Sequence, residues 1–243
     1  MVEIGQLQIL RRYPFKGMRG EDIKSVHVSF TGLRGDRVYA LVDPDNTGTF
    51  PWVTPRLRPE MLLFEPRFKH QFDDVPFPDL SRLEVEVTTP EGAHFRADDP
   101  AFLAFLENRF QRKLKLRFSE KGMQDARPIS ILGLASLKRL EEETGLTLDH
   151  RRFRANFYVE WKDAKPLYEE DLMGRTLQFG EKLQVMVTKK NTRCTVINLD
   201  PATAMASTEV LKTVGKQHKG MIGVYAATLQ DGVVTQGDAV FLL

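Results

Sequence analysis

One cysteine, Cys194, stands in the whole of this 243-residue chain. A single thiol forms no internal disulfide, so the fold owes nothing to cross-links. Nor can one cysteine hold an iron–sulfur cluster. The five histidines, His27, His70, His94, His150 and His218, are scattered, and none has a partner at the short spacings from which zinc sites are built. No apolar run approaches the ~20 residues that span a bilayer. Residues Met1 to Gly5 lack the basic start and apolar core of a secretion signal. A phosphate-binding glycine loop is missing too, because Gly32 and Gly35 are followed by neither Lys-Ser/Thr nor a helix. The formal charge is only +2, from 35 basic and 33 acidic residues. That balance argues against the concentrated basic face of a nucleic-acid or membrane binder. The expectation is a cytoplasmic protein with no nucleic-acid and no membrane partner.

What is present reads as mainly β with a few helices, an α+β chain. Val26, Val28 and Phe30 alternate with His27 and Ser29, the period of a half-buried strand. Arg37 to Val42 reads as a second strand, closed by the turn cluster Asp43 to Gly48. Leu83, Val85 and Val87 turn at Thr89-Pro90-Glu91-Gly92 and return through Ala93, Phe95 and Ala97 as a hairpin. Asp99 caps a helix with Pro100 in its first position and an aromatic stripe that faces a core. Leu134 to Thr144 is a second helix ended by Gly145. A third runs from Ser207 or Thr208 to about Val214 and stops at Gly215. Further strands are expected at 114–118, 153–161, 177–179, 183–188, 223–229 and 239–243. The polar stretch Glu120 to Asp125 marks the internal boundary, giving domains 1–119 and 120–243.

Chemistry has few places to reside. Asn191-Thr192-Arg193-Cys194 follows a strand and precedes the turn Asp200-Pro201-Ala202-Thr203. A positive neighbour favours thiolate, the form that attacks and ligates. Against this, a lone cytosolic cysteine is most often a small inert hydrophobe, and neighbouring strand residues face opposite ways, so Arg193 need not touch the sulfur. Lys16, Arg37, Arg56 and the trio Arg151, Arg152 and Arg154 before Asn156 lie at strand ends and loops, where binding residues gather. Guanidinium groups take phosphate bidentately, yet each arginine alone is better read as a solvated surface charge.

Taken in order, the motifs are more specific. Tyr13-Pro14-Phe15-Lys16, Gly32-Leu33-Arg34-Gly35-Asp36-Arg37 and Val53-Thr54-Pro55-Arg56 resemble the N-terminal β-barrel domain of MOSC proteins. Arg152-Phe153-Arg154-Ala155-Asn156, Tyr168-Glu169-Glu170-Asp171, Arg193-Cys194 through Thr203, and Gly237 to Leu243 resemble the MOSC domain itself. The resemblance spans the chain and is to the kind that includes the mitochondrial amidoxime-reducing component and its bacterial relatives. It implies an N-terminal β-barrel-like domain packed on a MOSC β-barrel.

It implies, further, a molybdenum cofactor (Mo-molybdopterin), with Cys194 as the one protein ligand to the metal and as the catalytic residue. A soft thiolate suits that ligand role. Lys16, Arg37, Arg56, Arg154, Asn156 and Arg193 fall at cofactor-binding positions, and an anionic pterin phosphate needs charge-assisted donors. Two departures stand out: Asn191 occupies a position where relatives often have cysteine, and Gly17 one where they can have serine. The expected activity is reduction of small N-hydroxylated or N-oxide-type compounds. With no iron–sulfur domain in the sequence, the electrons are expected from a separate ferredoxin-, cytochrome- or flavoprotein-type partner. The alternative from another class is a sulfur- or molybdenum-cofactor carrier that uses a Cys194 persulfide or cofactor adduct without turnover.

Overall fold

In the computed structural model, residues 1–72 and 79–243 are described. Seven strands close into a barrel: β1 (Val2–Arg12), β2 (Ile129–Gly133), β3 (Phe157–Trp161), β4 (Thr176–Phe179), β5 (Leu183–Thr192), β6 (Met221–Gln230) and β7 (Ala239–Leu242). Around it the order is β3-β2-β6-β5-β4-β7-β1, and β1 returns to pair with β3. All barrel neighbours are antiparallel except β2 and β3. Helix α2 (Leu134–Thr144) makes the crossover that this parallel pair requires.

The period-two alternation of the strands sorts side chains to two faces. Leu7, Ile131, Phe157, Val185, Val224 and Val240 fill the barrel. Their neighbours Leu132 and Tyr158 point outward and pack with Leu140, Val210 and Val214 under α2 and α4 (Glu209–His218). Gly223 breaks the alternation in β6 with φ 74°, so that Ile222 faces the outer cluster and Val224 the inner one. A side chain there is excluded, since a Cβ would lie 2.8 Å from the Ile131 carbonyl oxygen.

The N-terminal module has its own core. Helix α1 (Pro100–Phe110) buries Phe102, Leu106 and Phe110 against Phe15, Val38, Phe64 and Val87. Asp99 caps its first turn through the Ala101 N–H, and Gln111 ends it in a left-handed conformation. The short strands around it form small three-stranded sheets: 39–42 with 52–53 and 115–118, and 65–68 with 85–88 and 94–96.

Most expected elements form, with three corrections. Helix α4 continues through Gly215 to His218 and ends at Lys219, φ 54°. Gly215 faces open space, so it exacts only the ~1 kcal/mol propensity penalty while Val210 and Val214 hold the helix to the core. The strand expected from Phe153 starts at Phe157, because His150–Phe153 form a 3-10 turn that Asp149 caps. Arg37 lies outside its strand, in a left-handed turn at φ 55°. Beyond Asp231, Gly232–Thr235 pair with Ser25–Val28 of the N-terminal module. No helix among the described residues is long and apolar enough to cross a membrane.

Glu169 of α3 (Tyr168–Asp171) is wholly buried and accepts hydrogen bonds from the Gly133 N–H at 3.1 Å and the Ser136 hydroxyl at 2.9 Å. It therefore serves the N-terminus of α2. Burial raises its pKa above the ordinary 4.5, against the pull of those two donors. A raised carboxyl pKa contributes stability that is complete below the unfolded value and fades as pH rises through the folded one. Denaturant unfolding from pH 4 to 7 should therefore show wild type losing ground against Glu169→Gln. A constant difference between the two would refute a raised Glu169.

Candidate functional site

Where the barrel meets the N-terminal module, a cleft of about 390 Å³ opens. All seven sequence-derived candidates line it: Lys16, Arg37, Arg56, Arg154, Asn156, Arg193 and Cys194. Among the described residues its wall carries eight basic side chains, the others being Arg127, Arg152 and Lys189, against one acidic side chain, Asp125. Such a surface calls for an anionic ligand.

The strands set the geometry. At its end β5 releases Arg193 and then Cys194, which precedes the 3-10 turn Thr195–Asn198 and is exposed. Asp200 accepts from the Ala202 and Thr203 N–H groups and from the Thr203 hydroxyl. It also holds Arg152 Nη2 at 2.9 Å, while Arg152 Nη1 donates to the Asn198 carbonyl. The Asp-Pro turn thus fixes the loop that carries the thiol, and nothing in it needs a chemical role.

Arg193 is a brace. Its Nε donates to the Ile222 carbonyl at 2.9 Å and its Nη1 to the Phe153 carbonyl at 2.8 Å. With the Asn191 amide oriented to suit its neighbours, the amide nitrogen donates to Tyr225 Oη at 3.1 Å and its oxygen accepts from Arg193 Nη2 at 3.3 Å. Burial lowers the Arg193 pKa, while Tyr225, Tyr158 and Cys194 pull it upward.

Three cations cluster opposite. After β1 the chain runs beside 36–39: the Tyr13 N–H donates to Asp36 Oδ1, the Arg37 N–H to the Tyr13 carbonyl and the Lys16 N–H to the Tyr39 carbonyl. Lys16 is buried, and its ammonium donates to the Met123 carbonyl at 2.6 Å and pairs with Asp125. Burial depresses its pKa, more than Asp125 restores it, and Arg37 and Arg154 add to the depression. Arg37 and Arg154 both take left-handed conformations, φ 55° and 51°, rare for side chains of their size. Both guanidinium carbons lie over the Tyr13 ring, 4.7 and 4.4 Å from its centre, within cation–π range. Burial lowers Arg154 to about 10, with Tyr13 opposing and Arg37 adding to the shift. For Arg37, burial is outweighed by Asp36, Tyr13 and Asp125, and its pKa rises.

The other two candidates differ. Arg56 is exposed at the rim, its guanidinium carbon 4.1 Å from the Phe50 ring centre. Asn156 is buried, and its side-chain oxygen accepts from the Ser130 N–H and hydroxyl while its amide nitrogen donates to the Arg11 carbonyl. Its amide joins β1 to β2. Sequence reasoning missed Asp125, Tyr225, Thr54 and Ser130. The polar run around Asp125 reads as a boundary, and Tyr225 reads as an ordinary strand residue. Thr54 Oγ1 and Arg152 Nε are buried in the cleft wall without a partner among the described residues, donors suited to a ligand.

A seven-stranded barrel with an arginine-rich, thiol-bearing cleft defines the class, and sequence families give it a name. The model of the MOSC N-terminal beta barrel domain matches residues 4–126 and that of the MOSC domain residues 119–241, so the chain belongs to the MOSC family. Among solved structures, it is similar to the YuaD protein of Bacillus subtilis, 12% identical over 98% of this chain and 94% of that one, TM-score 0.52. It is also similar to YiiM of Geobacillus stearothermophilus at 21% identity and TM-score 0.37, covering 48% of this chain and 54% of the other. YiiM of Escherichia coli stands at 16%, with the same coverage and TM-score 0.35. No curated protein sequence matches the chain.

Replacing Arg193 by Met strips donors from the Ile222 and Phe153 carbonyls. Urea unfolding should show a loss of about 2 kcal/mol. An unchanged midpoint would contradict the bracing role.

Proposed function

We propose that the cleft is a molybdenum-cofactor site and that the protein reduces N-hydroxylated or N-oxide-type compounds. The observation that carries this is the convergence of one exposed thiol with Lys16, Arg37 and Arg154 on a single cleft. The donor set suits the group: a soft thiolate for the metal, and charge-assisted donors plus the unpartnered Thr54 hydroxyl for a phosphorylated pterin. Family membership supports it, since MOSC domains are associated with that cofactor. When bound, the group would supply a two-electron redox centre for removing oxygen from the substrate.

Cys194, exposed at the cleft, would hold the metal where a small substrate has access. Lys16, Arg37 and Arg154 would neutralise and hold the pterin phosphate, with Arg56 a further donor at the rim. Arg193 and Asn191 keep the end of β5 rigid so that the thiol does not wander. Loss of oxygen from an N–OH group takes two electrons and two protons and releases water. The two protons would come from solvent reaching the cleft. Electrons come from a separate redox protein.

Exposure of Cys194 favours one other reading, a carrier whose persulfide is open to a donor and an acceptor protein. Incubation with a cysteine desulfurase followed by mass spectrometry tests it, with a persulfide on metal-free protein as its signature.

For the enzyme, protein purified under reducing conditions should hold about one molybdenum and one pterin per chain. It should also oxidise a reduced dye when an N-hydroxylated compound is added. Cys194→Ser should lose the metal. Molybdenum retained at wild-type level in Cys194→Ser would sink the ligand role.

A further inference from the structure

Among the described residues, one acidic side chain lines the cleft, and it faces the cations. Asp125 pairs with the Lys16 ammonium, and the charges acting on its carboxylate are Lys16, Arg37 and Arg154. Burial of the carboxylate works to raise its pKa, yet those three cations outweigh it and the pKa falls. The relation is mutual, since Asp125 acts upward on Lys16, Arg37 and Arg154 alike. Its side chain is nonetheless 59% exposed, whereas that of Lys16 is 5% exposed. Asp125 rides on the stretch between the strand that ends at Phe118 and β2, where no helix or strand forms. The buried Lys16 is fixed, by contrast, with its ammonium also held by the Met123 carbonyl.

An exposed carboxylate on a loop thus occupies the position that an anionic ligand needs. We infer that Asp125 is a built-in counter-ion of the cleft, which an incoming phosphate-like dianion must displace from Lys16. Exchange of a singly charged group for a doubly charged one favours dianions over monoanions. Asp125 also pairs with Lys16 and acts electrostatically on Arg37 and Arg154. This rests on the anion-binding reading of the cleft, and it reverses the sign expected of a cleft residue: removing Asp125 should strengthen binding.

The full chain, purified from cells that make no molybdenum cofactor, is titrated with inorganic sulfate at constant ionic strength. Trp52, whose ring centre lies 5.3 Å from Lys16 Nζ, reports by its fluorescence. Asp125→Asn should bind sulfate about tenfold more tightly than wild type. Lys16→Met should bind it weakly whether or not Asp125 is present. Equal or weaker binding by Asp125→Asn would overturn the counter-ion role and leave the anion site standing, whereas no sulfate binding by either protein would overturn both. A second measurement needs no variant. Carbodiimide should join Asp125 to Lys16 as an amide in wild type, detected by peptide mass spectrometry, and sulfate should suppress the link. A cross-link that persists at saturating sulfate shows that Asp125 stays in place, and the inference fails.

Discussion

Strand β1 hydrogen-bonds at both edges, to β3 on one side and β7 on the other, and so closes the barrel. The cleft depends on that closure. Where the strand ends at Arg12, Tyr13 to Lys16 continue alongside residues 36–39, so one unbroken stretch links the barrel wall to the N-terminal core. Lys16 is thereby carried, across some 180 residues of chain, to the cleft that Cys194 lines. If β1 left the barrel, the cations and the thiol would part.

Holding the cations together is the opposing difficulty. Arg37, Arg154 and Lys16 repel one another: burial is the main cause of the lowered Arg154 and Lys16 pKa values, and the neighbouring cations add to it. The fold counters with groups that take part in no reaction: the Tyr13 ring beneath two guanidinium groups, the buried Asp36 paired with Arg37, and backbone carbonyls at Met18 and Arg154. Two left-handed arginine backbones add strain of about 1 kcal/mol or more each. The repulsion among these cations is of the kind an anionic ligand would offset.

The thiol side is arranged on a different principle. Arg193 spends its guanidinium on backbone carbonyls rather than on the sulfur, and Asn191 ties the same turn to Tyr225. Both residues lie just past the end of β5, and the arginine beside the cysteine stiffens the seat through these backbone contacts. This gives the Arg193-Cys194 pair a mechanical meaning.

Much of this was legible in the chain alone. Alternation at 85–87, the Asp99-Pro100 cap and the Gly145 stop name their elements, because such signals are local. Cys194 and the Lys16, Arg37 and Arg154 set came from ordered motifs, and all line one cleft. Non-local facts were out of reach. Gly215 looks like a helix end until the packing of Val214 against the barrel overrides it. Asp125 looks like linker polarity until folding sets it against Lys16. Sequence by itself determined which residues carry charge, which carry a thiol and which strands alternate, since these depend on neighbours a few positions away. Only the tertiary structure decided that Arg193 braces, that Asn156 joins strands and that Asp125 faces three cations. Each of those outcomes is a contact between segments that meet only once the barrel has closed.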